Sequence, residues 1–244
     1  MPGDDSVSCL CVTHQRPHLL RRSIDCFLAQ THPGCELVIL HEDGDAATAQ
    51  LLAGLNAPGV RAITVPTAAG MRLGTKRNTL VAAARGRYVA IWDDDDWHAP
   101  GRIAAQWQAV LDTGRPACVL QHVVVYDAVN RRAFLSLGRH WEPTLFCERG
   151  AMPPYAPLNT GEDVPCVEAL ISAGRVFALS RPDLYVYVYH GGNTCNAAHF
   201  ARNVFTRSTR LGDEMAARVA ALLAAPGGAP LTLADVVAAH GAAA

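Results

Sequence analysis

The sequence predicts an α/β protein, a Rossmann-like mixed sheet flanked by helices, and three observations carry that expectation. Short apolar runs alternate with helical stretches through roughly the first hundred residues, as in a parallel doubly wound half. One of these runs rises through Tyr88, Val89, Ala90, Ile91 and Trp92 and then breaks into Asp93, Asp94, Asp95 and Asp96. Farther on, apolar runs at 117–126 and 132–137 flank a polar turn, the pattern of an antiparallel hairpin, so the sheet is expected to be mixed.

Taken in order, residues 6–12 read as a strand, and Pro17 suits the start of a helix over 18–29. A second strand, 35–40, runs into the acidic string Glu42, Asp43, Gly44 and Asp45 before a helix over 46–55. A third strand covers 60–65, and a glycine-containing loop, 66–74, feeds a helix from Thr75 to about residue 85 whose first turn holds Lys76, Arg77 and Asn78. Such a loop at a helix N-terminus suits a diphosphate, and it equally suits a solvated basic turn, since it matches neither a Walker loop nor GxGxxG. After the acidic run comes a helix over 100–112, then the hairpin. Residues 138–160 contain Pro143, Pro153, Pro154 and Pro157 and read as irregular apart from a short apolar piece around Leu145 and Phe146. A helix over 161–173, strands over 175–179 and 184–189, an alanine-rich helix over 200–225, a Pro/Gly break at 226–230 and a last helix over 231–239 complete the chain.

At 244 residues the chain suits one α/β domain, and a domain at 1–200 followed by a helical appendage at 201–244 is expected. A net charge of -1 offers no basic field for nucleic acid. The eight cysteines contain no CxxC pair and sit mostly in apolar runs, which is how reduced cysteine serves as a small core residue, so a reducing cytoplasm is expected. The N-terminus lacks a signal-peptide plan and no apolar run approaches the ~20 residues that span a bilayer, so the expected protein is soluble, without a transmembrane segment.

Four adjacent carboxylates repel one another unless a cation or several N–H donors collect there. Hard divalent cations prefer carboxylate oxygen, and ligands of open α/β sheets bind beyond strand ends, so a site is expected at residues 93–96. The alternative is a solvated turn in which Asp96 caps the next helix.

In their order, a strand followed by Thr13, Arg16 and Pro17; a strand ending in Glu42, Asp43 and Gly44; Lys76, Arg77 and Asn78 at a helix start; Trp92 to Trp97 around the four aspartates; then Gly161, Glu162 and Asp163, and a final His190, Gly191, Gly192, Asn193 and Thr194, together resemble the GT-A glycosyltransferases of family 2. The resemblance covers roughly residues 6–195. It implies a nucleotide-binding half at about 1–97 and an acceptor half at about 98–200. It also implies transfer of a sugar from a nucleotide-diphosphate donor, a UDP-sugar first, to an acceptor hydroxyl with inversion, assisted by Mn²⁺ or Mg²⁺.

By that resemblance Asp95 contacts the metal, Asp93 serves metal and donor, and Asp94 adjoins the donor. Asp43 would hold the base beside Thr13, with Arg16, Lys76, Arg77 and Asn78 around the nucleotide, and Asp163 would be the catalytic base. His190 is a further candidate ligand. Each has a plainer reading: Asp43 as a turn residue before Gly44, Asp163 as a first-turn acid favouring a helix N-terminus, His190 as polar surface. Trp97 and Trp141 would stack on a sugar or be buried. A metal-dependent hydrolase, a nucleotidyltransferase and an inactive nucleotide-sugar-binding module are the rival classes. The acceptor, whether a glycan, a lipid-linked sugar or a small molecule, is not readable, nor is the oligomeric state; the alanine-rich tail leaves room for a peripheral position on the inner face of a membrane.

Overall fold

The computed structural model describes residues 3–225 and 227–242. Met1 and Pro2, on which the reading of the N-terminus partly rests, and Pro226, which opens the expected break, lie outside the described residues.

The N-terminal part alternates as expected: β1 (Val7–Val12), α1 (Pro17–Leu28), β2 (Cys35–Glu42), α2 (Ala46–Ala53), β3 (Val60–Val65), α3 (Leu73–Ala83) and β4 (Tyr88–Ile91). Strands β3, β2, β1 and β4 lie side by side and parallel. The runs of β1, β2 and β4 are buried along their length because both faces are covered, whereas the edge strand β3 buries only Val65. Cys9, Cys11, Leu37, Ile39 and Ala90 pack with Leu20, Ile24 and Phe27 of α1 on one side, while Leu10, Val38, Leu40, Val89 and Ile91 pack with Leu80 of α3 on the other. Gly86 lets the chain enter β4, since a Cβ there would lie 2.6 Å from the Ser8 nitrogen.

The chain continues through β5 (Trp97–His98), α4 (Arg102–Thr113), β6 (Ala117–Leu120), β7 (Val124–Asp127), β8 (Arg132–Leu135), β9 (Trp141–Glu148), α5 (Val164–Ser172), β10 (Val176–Leu179) and β11 (Tyr185–Tyr189). Two expectations are corrected here. The run 117–126 is not one strand: it bends at Gln121 and His122, so that β6 joins the first sheet and β7 a second, and it looks continuous in sequence because both pieces are buried. The proline-rich segment 138–160 is not irregular throughout. Its β9 runs antiparallel between β4 and β6, and Pro143 falls where the β6–β9 register breaks, the place at which a sheet tolerates proline.

The first sheet has the order β10-β6-β9-β4-β1-β2-β3 and the second β12-β8-β7-β11-β5. Strand β12 (Thr209–Arg210) belongs to the expected alanine-rich helix, which is a third correction. Residues 200–225 form a wide turn and a tight one, then β12, then α7 (Asp213–Ala224), after the single turn α6 (Ala197–His199). Phe200 and Phe205 are drawn out of helical register onto Tyr187, Tyr189 and Phe134. Helix α8 (Leu233–Gly241) closes the chain, and Leu211, Met215, Val219, Leu231 and Val236 share the larger core. Six of the eight free cysteines are buried. Among the described residues no helix is long and apolar enough to cross a membrane.

Beneath the acidic turn lies a buried polar knot. Arg102 is fully buried; it donates to the Ile91 carbonyl (3.0 Å), to Gln106 Oε1 (3.1 Å) and to His98 Nδ1, with its guanidinium 5.5 Å from the Trp92 ring and 5.1 Å from that of Tyr185. His98 stacks on Trp92 and lies 3.2 Å from the Asp93 carbonyl through Nε2. Burial and then the Arg102 charge hold the His98 pKa well below the usual imidazole value. The folded chain therefore keeps His98 neutral while the unfolded chain protonates it below about pH 6.5. The unfolded state then binds more protons, so this contribution to stability is complete above that pH and is lost as pH falls below it. His98→Asn retains an acceptor near the Nδ1 position and cannot titrate. Urea unfolding at about pH 7.5 and about pH 5.5 should show the variant losing less stability on acidification than the parent, by up to about 1.4 kcal/mol; equal losses would place the acid sensitivity elsewhere.

Candidate active site

Strand β4 delivers residues 93–96 to the carboxyl edge of the first sheet, and each carboxylate meets its own set of partners, with Arg16 shared by Asp94 and Asp95. Asp93 Oδ1 accepts from Arg77 Nη2 (3.0 Å). Asp94 accepts from Arg16 Nη2 (2.7 Å) and Thr13 Oγ1 (2.6 Å). Three groups converge on Asp95 Oδ2: Arg16 Nη1 at 2.9 Å, His190 Nε2 at 3.2 Å and Asn193 Nδ2 at 3.3 Å. Asp96 accepts from the Val188 backbone N–H (2.7 Å) and the Tyr185 hydroxyl. Asp96 is therefore a tie to β11 and does not cap α4, whose N-cap is Gly101.

These partners act unequally on the acids. Burial raises the Asp95 pKa, but the His190 hydrogen bond and the Arg16 charge outweigh it and hold the group low. Asp94, pressed by burial and by the Asp95 charge against the pull of Arg16, is pushed up to about 7. Burial likewise raises Asp93, with Arg77 opposing. For Arg16, burial is outweighed by Asp94 and Asp95, so the guanidinium stays charged. One guanidinium facing two carboxylates favours ionising one of them over the other.

A cavity of about 340 Å³ opens over this turn. Thr13, Arg16, Lys76, Arg77, Asp93, Asp94, Asp95 and Asp163 all line it, so the structure brings together eight of the residues expected from the sequence. A larger hollow of about 660 Å³ lies between α7 and α8, away from the acidic turn. Convergent polar groups, and not size, mark the smaller cavity as the candidate site.

Within it, Arg77 is held between Glu162 Oε1 (2.9 Å) and Asp93, and its buried Nη1 has no acceptor among the described residues. Lys76 Nζ contacts Glu42 Oε1 at 2.6 Å. Asp163 stands at the N-cap of α5 but makes no capping hydrogen bond, and no ion pair among the described residues engages it. Half-buried Asp163 borders the same cavity as the charged turn.

Three expected residues are placed differently. Asn78 points away from the cavity and clamps the Tyr155 backbone, donating to its carbonyl at 2.9 Å and accepting from its N–H at 2.9 Å. Asp43 lies at the exposed exit of β2, where its Oδ1 accepts from the Thr67 N–H and hydroxyl, both at 2.9 Å; these bonds lower its pKa. His190 reaches the site through Asp95 without lining the cavity. In the loop 66–74, Gly74 lies inside the first turn of α3, where a Cβ would overlap the Ala156 carbonyl oxygen, so close packing accounts for this glycine. Trp97 and Trp141 are both buried.

Sequence reasoning passed over Asn193, Glu42 and Asp45. Asn193 belongs to the string that ends β11, but its meaning depends on β11 meeting the acidic turn, a contact far apart in sequence. Asp45 caps α2 through Thr48 N–H (3.1 Å) and also accepts from the Gln15 N–H (2.6 Å), fixing the turn that presents Arg16. Gln15 has φ of 52°, a left-handed conformation that this bond supports.

Among the described residues no three His, Cys, Asp or Glu side chains form a cluster that would hold a metal by themselves. The donor set nevertheless fits a hard divalent cation that arrives with a phosphate ligand: no side chain among the described residues donates to the second oxygen of Asp93 or of Asp95, and Mg²⁺ is commonly held by one or two carboxylates plus phosphate oxygens and water.

Comparison with known proteins agrees with this arrangement. The family model described as glycosyl transferase family 2 matches residues 8–159, a span that contains the acidic turn and ends before Asp163. Galactofuranosyltransferase GlfT1 of Mycobacterium tuberculosis is 30% identical over 203 residues, covering 75% of this chain and 61% of that protein. Succinoglycan biosynthesis protein ExoO of Rhizobium meliloti is 37% identical over 82 residues, 34% of this chain and 23% of ExoO. The chain thus spans less than two thirds of the length of these relatives. Among solved structures, residues 1–349 of S. aureus TarS in complex with UDP superpose with a TM-score of 0.61 at 16% identity, over 75% of this chain and 60% of that 1–349 chain. The mannosyltransferase PcManGT of Pyrobaculum calidifontis, in complex with GDP-Man and Mn²⁺, gives 0.55 at 17% identity, over 97% and 79%. At these identities the structural likeness speaks for the fold, a GT-A mixed sheet flanked by helices. With the acidic turn, its cavity and the matched span in agreement, the chain belongs to glycosyl transferase family 2.

Proposed function

We propose that the chain transfers a sugar from a nucleoside-diphosphate donor, a UDP-sugar, to an acceptor hydroxyl with inversion at the anomeric carbon. The observation that carries this reading is one cavity bordered by a charged, cation-paired acidic turn and by a carboxylate, Asp163, that no ion pair among the described residues engages. A binding module would have no need of the second group.

The roles follow from the residues. Arg77, with an unsatisfied buried N–H, and Arg16 offer donors to the phosphate oxygens. Asp93 and Asp95, with His190 behind Asp95, would hold a Mn²⁺ or Mg²⁺ ion, which supplies Lewis-acid neutralisation of the leaving diphosphate when bound. Thr13 orients Asp94 beside it. Asp163 takes the proton of the attacking hydroxyl. Inversion is supported because the other acids bordering the cavity, Asp93, Asp94, Asp95 and Glu162, each carry a cationic partner, leaving no free carboxylate as a nucleophile for a double displacement. Asp43, exposed at the neighbouring strand exit, is assigned to the base.

Three measurements test this. In a thermal-shift panel of UDP, GDP, dTDP and CMP with and without Mn²⁺, UDP with Mn²⁺ should stabilise the parent most, by about 2.7 kcal/mol at a hundredfold excess over its Kd. Asp95→Asn should abolish the Mn²⁺-dependent part with an unchanged circular dichroism spectrum, and undiminished binding would remove Asp95 from the metal. Asp43→Ala should weaken every uridine ligand while leaving the Mn²⁺ dependence intact; unchanged affinities would return it to the role of a turn residue. Asp163→Asn should keep donor affinity and lower turnover by roughly 10²–10⁴, and the parental product should carry the anomeric configuration opposite to the donor's. Parental turnover in that variant, or retained configuration by NMR of the anomeric proton, refutes the base assignment.

A further inference from the structure

Two adjoining hollows lie beside the candidate site. The nearer, about 280 Å³, is bordered by Arg139, Trp141, His199, Asn203 and Arg207, and no carboxylate among the described residues lines it. Arg207 makes no ion pair among the described residues, whereas Arg139 lies 4.1 Å from the Trp141 ring centroid and 3.2 Å from Glu142. The second, about 410 Å³, shares Leu137 and Arg207 with the first and continues along Leu233, Val236 and Val237, again with no carboxylate among the described residues. Leu137, Leu233 and Val237 are 55%, 39% and 60% exposed. Large apolar side chains left open together along one trough mark a contact surface.

The cationic hollow is close to the acid-lined cavity. Trp141 borders the former and Pro143 the latter, and two residues of chain separate their Cα atoms by at most about 7 Å. The Trp141 ring also meets Tyr187, which lines the acid-lined cavity, at 5.6 Å between centroids. The two cavities are therefore neighbours, with Trp141 and Tyr187 packed between them.

We propose that these hollows receive the acceptor, and that the acceptor is a phosphate-bearing amphiphile: its phosphate lies between Arg139 and Arg207, and its hydrocarbon chain runs past Leu137 toward Leu233 and Val237. Charge complementarity selects the head, because guanidinium groups match phosphate oxygens in pairs. The adjoining apolar trough selects the tail, since a small polar phosphate would leave it uncovered. Concavity selects a single molecule over a bilayer face. The assignment as acceptor rests on the glycosyl-transfer reading, but binding is measured without it.

The test uses isothermal titration of the full chain with dodecyl phosphate below its micelle concentration, with dodecyl glucoside and inorganic phosphate as single-feature controls. Dodecyl phosphate should bind the parent at least tenfold more tightly than either control. An Arg139→Gln, Arg207→Gln double variant should lose at least tenfold of that affinity. Val237→Asn should weaken dodecyl phosphate and leave inorganic phosphate unchanged; these side chains are exposed, and circular dichroism checks the fold. Dodecyl phosphate affinity that survives the double variant overturns the proposal, as does a double variant that loses binding only to phosphatidylglycerol vesicles. The UDP and Mn²⁺ shift, measured on the same variants, should be unaffected. If it is absent from the parent while dodecyl phosphate binds as described, the pocket stands and the donor reading falls.

Discussion

Four like charges in succession are the constraint on which the rest of this molecule depends. Two unit charges 4 Å apart repel by roughly 4 kcal/mol at the effective dielectric near a protein surface, so residues 93–96 cannot be packed together without compensation. Compensation comes from separate elements. Arg77 belongs to α3, Arg16 and Thr13 to the turn that opens α1, Tyr185 and Val188 to β11, and His190 and Asn193 to the segment after it. The acidic turn therefore joins the first sheet to the second, and its charge balance is the same thing as its position. Unequal sharing among the partners, with Asp95 held low and Asp94 pushed up to about 7, leaves the turn partly neutral before any ligand enters.

That balance bears on how an anionic donor is received. A cluster of free aspartates would repel a diphosphate, whereas a cluster already neutralised by two arginines presents N–H groups beside carboxylate oxygens. Arg77 is the sharper instance, because burial against Glu162 and Asp93 leaves one of its N–H groups without an acceptor. A buried donor in that condition is costly in isolation and gains when an acceptor reaches it.

Much of this was legible in the sequence, and the limits have physical causes. The parallel strands could be read because burial on both faces makes them uniformly apolar, and the acidic turn because its charge is local. Strand β9 was legible only as the apolar piece around Leu145 and Phe146: Pro143 and the prolines that follow the strand resemble loop punctuation, and pairing with β4 and β6, about 60 and 25 residues earlier by register, makes it a strand. The break of 200–225 was hidden by alanine, which favours helix locally, while Phe200 and Phe205 are governed by aromatic neighbours on β11 and β8. Motif and order singled out Thr13, Arg16 and the aspartates, and these line one cavity. Asn78 binds the Tyr155 backbone, since an amide at a helix start serves backbone as readily as ligand, and Asn193 and Glu42 were given no role because their partners lie far away in sequence.

The place of β9 also governs the order in which the molecule can assemble. Strands β1 to β4 complete their mutual pairing by residue 91, but the outer edge of β4 stays open until residues 146–148 arrive, with β5 to β8 made in between. During synthesis the strand that carries the acidic turn is thus an unpaired, apolar edge for some fifty residues of further chain, the situation in which strands recruit unintended partners. The carboxylates at its end, apart from their chemistry, act as gatekeepers: their charge opposes stacking of one nascent β4 on another until β9 closes the sheet.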